Sequence, residues 1–84
     1  MKRLHPNSSE AQRQRLIQAL ASRPVTTLAA RTELDVLHPA ARVMELRQQG
    51  YAIETFWTRE ATHGGRFHRV ALYVLLSTGK KKPA

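Results

Sequence analysis

The chain has no cysteine. That excludes a disulfide framework and any zinc site built on thiolates. It is also poor in acid: six Asp and Glu stand against fourteen Lys and Arg, for a net charge of +8. A field of that sign attracts polyanions, whether DNA, RNA or an anionic membrane. Five of the positive charges (Lys2, Arg3, Lys80, Lys81 and Lys82) lie at the two ends, where they need not grip anything specific. Long apolar runs are missing too. The longest, Val70 to Leu76, falls far short of the ~20 residues of a membrane span. Lys2 and Arg3 lead into Leu4-His5-Pro6-Asn7 and not into an apolar stretch, so no secretory signal is read and the cytoplasm is the expected compartment.

A chain of 84 residues has room for one domain with a modest core, and none for a substrate domain or a deep cofactor cleft. A second copy or a nucleic-acid partner would add to its stability, so a homodimer is an admissible state. With 42% hydrophobic and 24% charged residues, the middle of the chain reads as globular and not disordered. Catalytic groupings are weak. His63 and His68 are five apart, with no third ligand close by in sequence. Ser8, Ser9 and Ser77 have no positioned base, and the carboxylates are scattered. Gly64-Gly65 reads as a turn and not a phosphate loop. The expectation is a protein that is not an enzyme, with no metal, cofactor, small-molecule ligand or membrane association.

The pattern along the chain predicts three segments. Residues 1–6 form a basic N-terminal arm, 7–76 the folded domain, and 77–84 a Lys-rich tail expected to be mobile. Asn7 is positioned to cap a first helix, with Glu10 reaching back to complete a capping box. Leu16, Ile17 and Leu20 recur at helical spacing, Arg13, Gln14, Arg15 and Gln18 fill the remaining surface, and Pro24 ends the helix. Thr26 or Thr27 then caps a short helix over Leu28 to Leu34. Asp35-Val36-Leu37 forms a turn carrying two apolar plugs. His38-Pro39 opens a third helix that runs to Gln49 and stops at Gly50. Val43 and Leu46 face inward in that helix, while Ala41, Met44, Glu45 and Gln48 lie opposite.

The period then changes to two. Tyr51 to Glu60 and Phe67 to Leu76 read as strands joined across Gly64-Gly65. If the two glycines are the loop, His63 pairs with Arg66 and Trp57 falls opposite Leu72. One face then carries Ile53, Trp57, Val70, Leu72, Val74 and Leu76 toward the core, and the other carries Glu54, Phe56, Arg69, Ala71 and Tyr73. A slip of one residue would exchange the faces. The predicted core is Leu16, Ile17, Leu20, Leu34, Val43, Leu46 and Trp57.

Three helices followed by a hairpin give an α+β domain. Its segments Val25-Thr26-Thr27-Leu28-Ala29-Ala30-Arg31 and His38 to Tyr51, with Arg42-Val43-Met44-Glu45-Leu46-Arg47-Gln48-Gln49-Gly50 at the end of the third helix, resemble winged helix-turn-helix proteins. The resemblance spans residues 8–76 and is greatest to the small stand-alone members from bacteriophages, prophages and other mobile elements of bacteria. Asp35 departs from the pattern, standing where a glycine is common. The resemblance implies a sequence-specific double-stranded DNA-binding protein, with a role in transcription regulation or in excision-type recombination. A protein-interaction module and an RNA or single-strand binder are the rival readings.

In that frame the third helix would enter the major groove and the hairpin, or wing, would reach adjacent backbone or minor groove. The candidate contacts are Thr26, Thr27, His38, Ala41, Arg42, Glu45, Arg47, Arg59, His63, Arg66 and Arg69. Arg42 would meet a base edge or phosphate, or else pair with Glu45 or Glu33. Arg47 lies nearer the core side, where packing competes with binding. His38, Thr26 and Thr27 would hold phosphate or cap their helices. Arg59, Arg66 and Arg69, with His63 and His68, surround the wing tip, where Arg69 has Glu60 as an alternative partner. Trp57, Phe56, Phe67 and Tyr73 would serve as core, as dimer interface or as a stacking platform for single strands.

Overall fold

A computed structural model describes residues 7–61 and 63–76; the expected basic arm (1–6) and Lys-rich tail (77–84) lie outside the described residues. The elements run α1 (Ser9–Ser22), β1 (Val25–Thr26), α2 (Thr27–Glu33), α3 (Pro39–Gln48), β2 (Ile53–Ala61), a 3-10 turn (His63–Gly65) and β3 (Phe67–Leu75). The α+β order of three helices and a hairpin is therefore present. A short strand joins it: β1 pairs antiparallel with β3, so the sheet has three strands in the order β1-β3-β2. β1 consists of Val25 and the helix cap Thr26 alone, and two residues after a proline carry no strand periodicity to mark them.

Local chemistry sets the helix ends. Ser8, one residue beyond the expected Asn7, caps α1 by accepting from the Ala11 amide at 3.1 Å. Arg23 is extended before Pro24, and α1 ends there. Thr26 Oγ1 accepts from the Ala29 amide at 3.0 Å, which decides between the two candidate caps of α2. Pro39 opens α3, and His38 before it makes no side-chain capping bond. At the other end Gly50 has φ +106, a conformation suited to glycine. Its amide bonds Arg47 O at 3.0 Å, and the Tyr51 amide bonds Leu46 O at 3.1 Å. Together they form the paired closure that ends a helix and redirects the chain into β2.

The core joins Leu16 and Leu20 of α1, Val25, Ala30, Val36, Val43, Leu46, Ile53, Ala71 and Tyr73. Ile17 and Leu34 are partly buried against it. Trp57, predicted as core, is instead 58% exposed, and Leu37, the second predicted plug, is also exposed while Val36 is fully buried.

The hairpin explains the Trp57 error. Trp57 pairs with Ala71, not Leu72, and the strands close at Ala61–Phe67 around a five-residue loop. Gly64 and Gly65 both sit at positive φ (+85 and +76), inside a wider turn than the two-residue one expected. This one-residue slip turns β3 over. Ala71 and Tyr73 point into the core, and Val70, Leu72 and Val74 lie on the outer face, opposite Thr58, Phe56 and Glu54. Trp57 keeps its predicted face, but it stands on the edge strand β2 and is exposed, while its partner Ala71 on the central strand β3 is the residue that enters the core.

Truncating Leu46 should cost roughly 2–5 kcal/mol, as buried leucine truncations do. Leu37→Ala should change stability by no more than about 0.5 kcal/mol. Urea denaturation of the two variants checks this pair; similar losses for both would mean that the turn is packed differently.

Candidate nucleic-acid interface

The geometry of the candidate interface starts in the turn between α2 and α3. Asp35 takes up the left-handed conformation (φ +56) where glycine is common, a conformation Asp tolerates better than most residues. That turn leaves backbone groups without helix partners, and α1 supplies them. Arg15 donates Nε to Leu34 O at 2.6 Å and Nη2 to Asp35 O at 3.1 Å. Gln12, only 7% exposed, accepts from the Leu37 amide at 3.3 Å and donates to Asn7 O at 2.9 Å. Asn7 completes the bracket: its Oδ1 accepts from Arg15 and its Nδ2 donates to Asp35 O at 3.3 Å. The helical spacing places Arg15 on the surface and assigns Gln12 no role. A signal was available, because Gln12, Leu16 and Leu20 are four apart and share one helix face.

Three faces of α3 do different work. Val43 and Leu46 are buried. Arg42 and Glu45 turn toward α1, where Arg42 Nη1 donates to Ser9 Oγ at 2.7 Å and Nη2 to Glu45 Oε2 at 3.0 Å. Arg42 Nε lies 2.9 Å from Glu45 Oε1, an ion contact without hydrogen-bond alignment. Arg13 reaches the same carboxylate from α1 at 2.8 Å. Ala40, Ala41, Met44 and Gln48 form the outward stripe. Arg47 closes the end of the helix onto the sheet, donating Nε to Ile53 O at 2.8 Å and Nη2 to Thr55 Oγ1 at 2.9 Å.

Thr55 begins a row of residues on the hairpin face that continues from the core. The pairs Trp57–Ala71, Arg59–Arg69 and Ala61–Phe67 follow it outward. The Arg69 guanidinium lies 4.6 Å from the Trp57 ring centroid, which fixes the two side chains on one face. Arg69 is therefore not the partner of Glu60, which pairs with His68 on the other face.

Against this geometry a profile of the winged helix-turn-helix domain matches residues 11–78. The chain belongs to that family. Neither the curated proteins nor the solved structures offer a match to it.

On the winged-helix frame the sequence-predicted residues fall into separate groups. Ala41 lies on the outward stripe of α3 and His38 is exposed just before it. Arg42 and Glu45 belong to the α1–α3 contact, and Arg47 ties α3 to β2. Thr26 is occupied as the cap of α2, and Thr27, its first residue, is half-buried. Arg59 and Arg69 face each other on the wing, Arg66 is exposed beside its tip, and the side chain of His63 lies outside the described residues. Met44 and Gln48 are exposed beside these positions and are outside the expected duplex contacts, and so are Trp57 and Phe67, which the sequence offered only as core, dimer interface or a single-strand stacking platform. No helix among the described residues is long and apolar enough to cross a membrane, and no three of their metal-ligating side chains cluster.

The Glu45 carboxyl is held below its ordinary value of 4.5, chiefly by the hydrogen bond from Arg13, with the charge of Arg42 adding to it and partial burial opposing it. A carboxylate stabilised in the folded state contributes stability above its unfolded pKa, and loses it as the pH falls through the lower folded value. Thermal melts from neutrality down to below pH 4.5 should therefore show a steeper acid loss for the native chain than for Glu45→Gln. Identical slopes would remove the Arg13–Glu45–Arg42 contact from the account of how α3 is held.

Proposed function

We propose that this winged-helix protein binds double-stranded DNA sequence-specifically, as a transcriptional regulator or excision-type recombination factor of the bacteriophage or mobile-element kind. The observation that carries the reading is the outward stripe of α3. Ala40, Ala41, Met44 and Gln48 form a narrow, uncharged ridge on a helix whose other faces are held by the core, α1 and β2. A major groove about 12 Å wide admits such a helix, and small alanine side chains let it approach the base edges. Gln48 has the donor and acceptor to bond adenine, and the Ala41 methyl suits contact with a thymine methyl. Held by Ser9 and Glu45, Arg42 serves to fix the reading helix and not to read. The net charge of +8 and the wing arginines supply affinity through phosphate contacts, which position the protein without carrying sequence information.

Fluorescence polarisation at two salt concentrations, with a selected duplex, a scrambled duplex and a single strand, tests the proposal. Binding should favour duplex and weaken steeply with salt. Gln48→Ala should cost about 1–3 kcal/mol at the selected site and little on the scrambled one. Arg66→Ala should weaken both alike and lower the salt slope by about one. Ala41→Glu should abolish duplex binding while leaving the fold intact, because the position is exposed. Full affinity in Ala41→Glu would remove α3 from the interface.

A further inference from the structure

The two faces of the hairpin differ in charge. Glu54 and Glu60 of β2 lie on the outer face, opposite Val74 and His68. The face continuous with α3 carries Thr55, Trp57, Arg59, Ala61, Phe67, Arg69, Ala71 and Tyr73, and no acid. Arg59 and Arg69 stand directly opposite one another on it. Like charges so placed destabilise a free hairpin. Among the described residues neither arginine forms an ion pair with a carboxylate; Arg69 rests on the Trp57 ring instead. Beyond this row, at the end of the strand, Phe67 is 68% exposed. A cationic row between exposed aromatic rings needs an anion with a flat, apolar partner beside it. A nucleic-acid backbone with its bases offers both.

Distance selects where the contact falls. Thr55, which Arg47 of α3 touches, is six residues from Ala61, the partner of Phe67. At about 3.4 Å per residue the Phe67 row lies roughly 20 Å from the end of α3. Half of the ~34 Å helical repeat of DNA separates a major groove from its neighbouring minor groove. With α3 in the major groove, the outer part of the wing meets the minor groove beside it.

Resting on the reading above, we propose that the wing kinks the bound duplex: Phe67 wedges into a base step from the minor groove while Arg59 and Arg69 hold the flanking phosphates. Apolar side chains inserted in this way unstack a step and bend DNA by about 20–90°. Arg69 leaves the Trp57 ring for phosphate as the complex forms. Trp57 is the sole tryptophan, so its fluorescence reports that exchange directly.

The experiment uses the full chain and a selected duplex of about 30 base pairs carrying a donor and an acceptor dye at its ends. Energy transfer should rise when the native protein binds, and Trp57 emission should change with it. Phe67→Leu, which keeps a wedge, should preserve the rise; Phe67→Ala should lose it while affinity falls less than tenfold. A duplex that stays straight in a tight, salt-sensitive complex overturns the wedge and leaves the DNA-reading proposal standing. Bending by Phe67→Ala equal to that of the native chain also overturns it. So does sedimentation showing that Phe67→Ala abolishes a self-association of the free chain, which would assign the ring to a second copy. Absence of any duplex binding removes both proposals.

Discussion

The presentation of α3 depends on how α1 brackets the turn before it. Asp35 reverses the chain in the left-handed region, Val36 enters the core, and the carbonyls of Leu34 and Asp35 are left outside any helix ladder. Arg15 takes both carbonyls, and Gln12 takes the Leu37 amide. Leaving such a group unmade costs about 1–3 kcal/mol where it is shielded from water, which applies to the partly buried bonds at Leu34 O and Leu37 N more than to the exposed ones at Asp35 O. The bracket therefore fixes the angle between α2 and α3, and the position of α3 decides what its outward stripe can reach.

Arginine is divided between two tasks. Arg13, Arg15, Arg42 and Arg47 point into protein: one to Glu45, one to the turn, one to Ser9 and Glu45, and one to β2. Each uses a planar fork of donors against fixed acceptors, which a lysine could not reproduce. Arg59 and Arg69 are placed on a wing face that has no acid. A net charge of +8 contains both groups and cannot tell them apart. The outward stripe of α3, Ala40, Ala41, Met44 and Gln48, is uncharged, and Arg59 and Arg69 stand apart from it on the wing.

The same separation runs through the hairpin. Near α3 its inner face buries Ile53, Ala71 and Tyr73; Trp57, opposite Ala71 on the edge strand, is already exposed, and farther out the face is open at Phe67. One alternation along two nine-residue strands thus serves the core at one end and the surface at the other. Hydrophobicity alone cannot mark where that change occurs.

From the sequence came the order of the elements, the Pro24 stop, the Pro39 start and Gly50 end of α3, and the inward placement of Val43 and Leu46, because caps, prolines and helical spacing act within a few residues. The conformation of Asp35, the Gln12–Arg15 bracket, the α1-facing role of Arg42 and the pairing of β1 with β3 join groups distant along the chain, and only the tertiary structure decided them. The hairpin register belongs with these. Two glycines permit either a two-residue or a five-residue loop, and the two choices exchange the faces of β3. Burial of Tyr73 beside Val25, on a strand whose partner the local pattern does not reveal, goes with the wider loop.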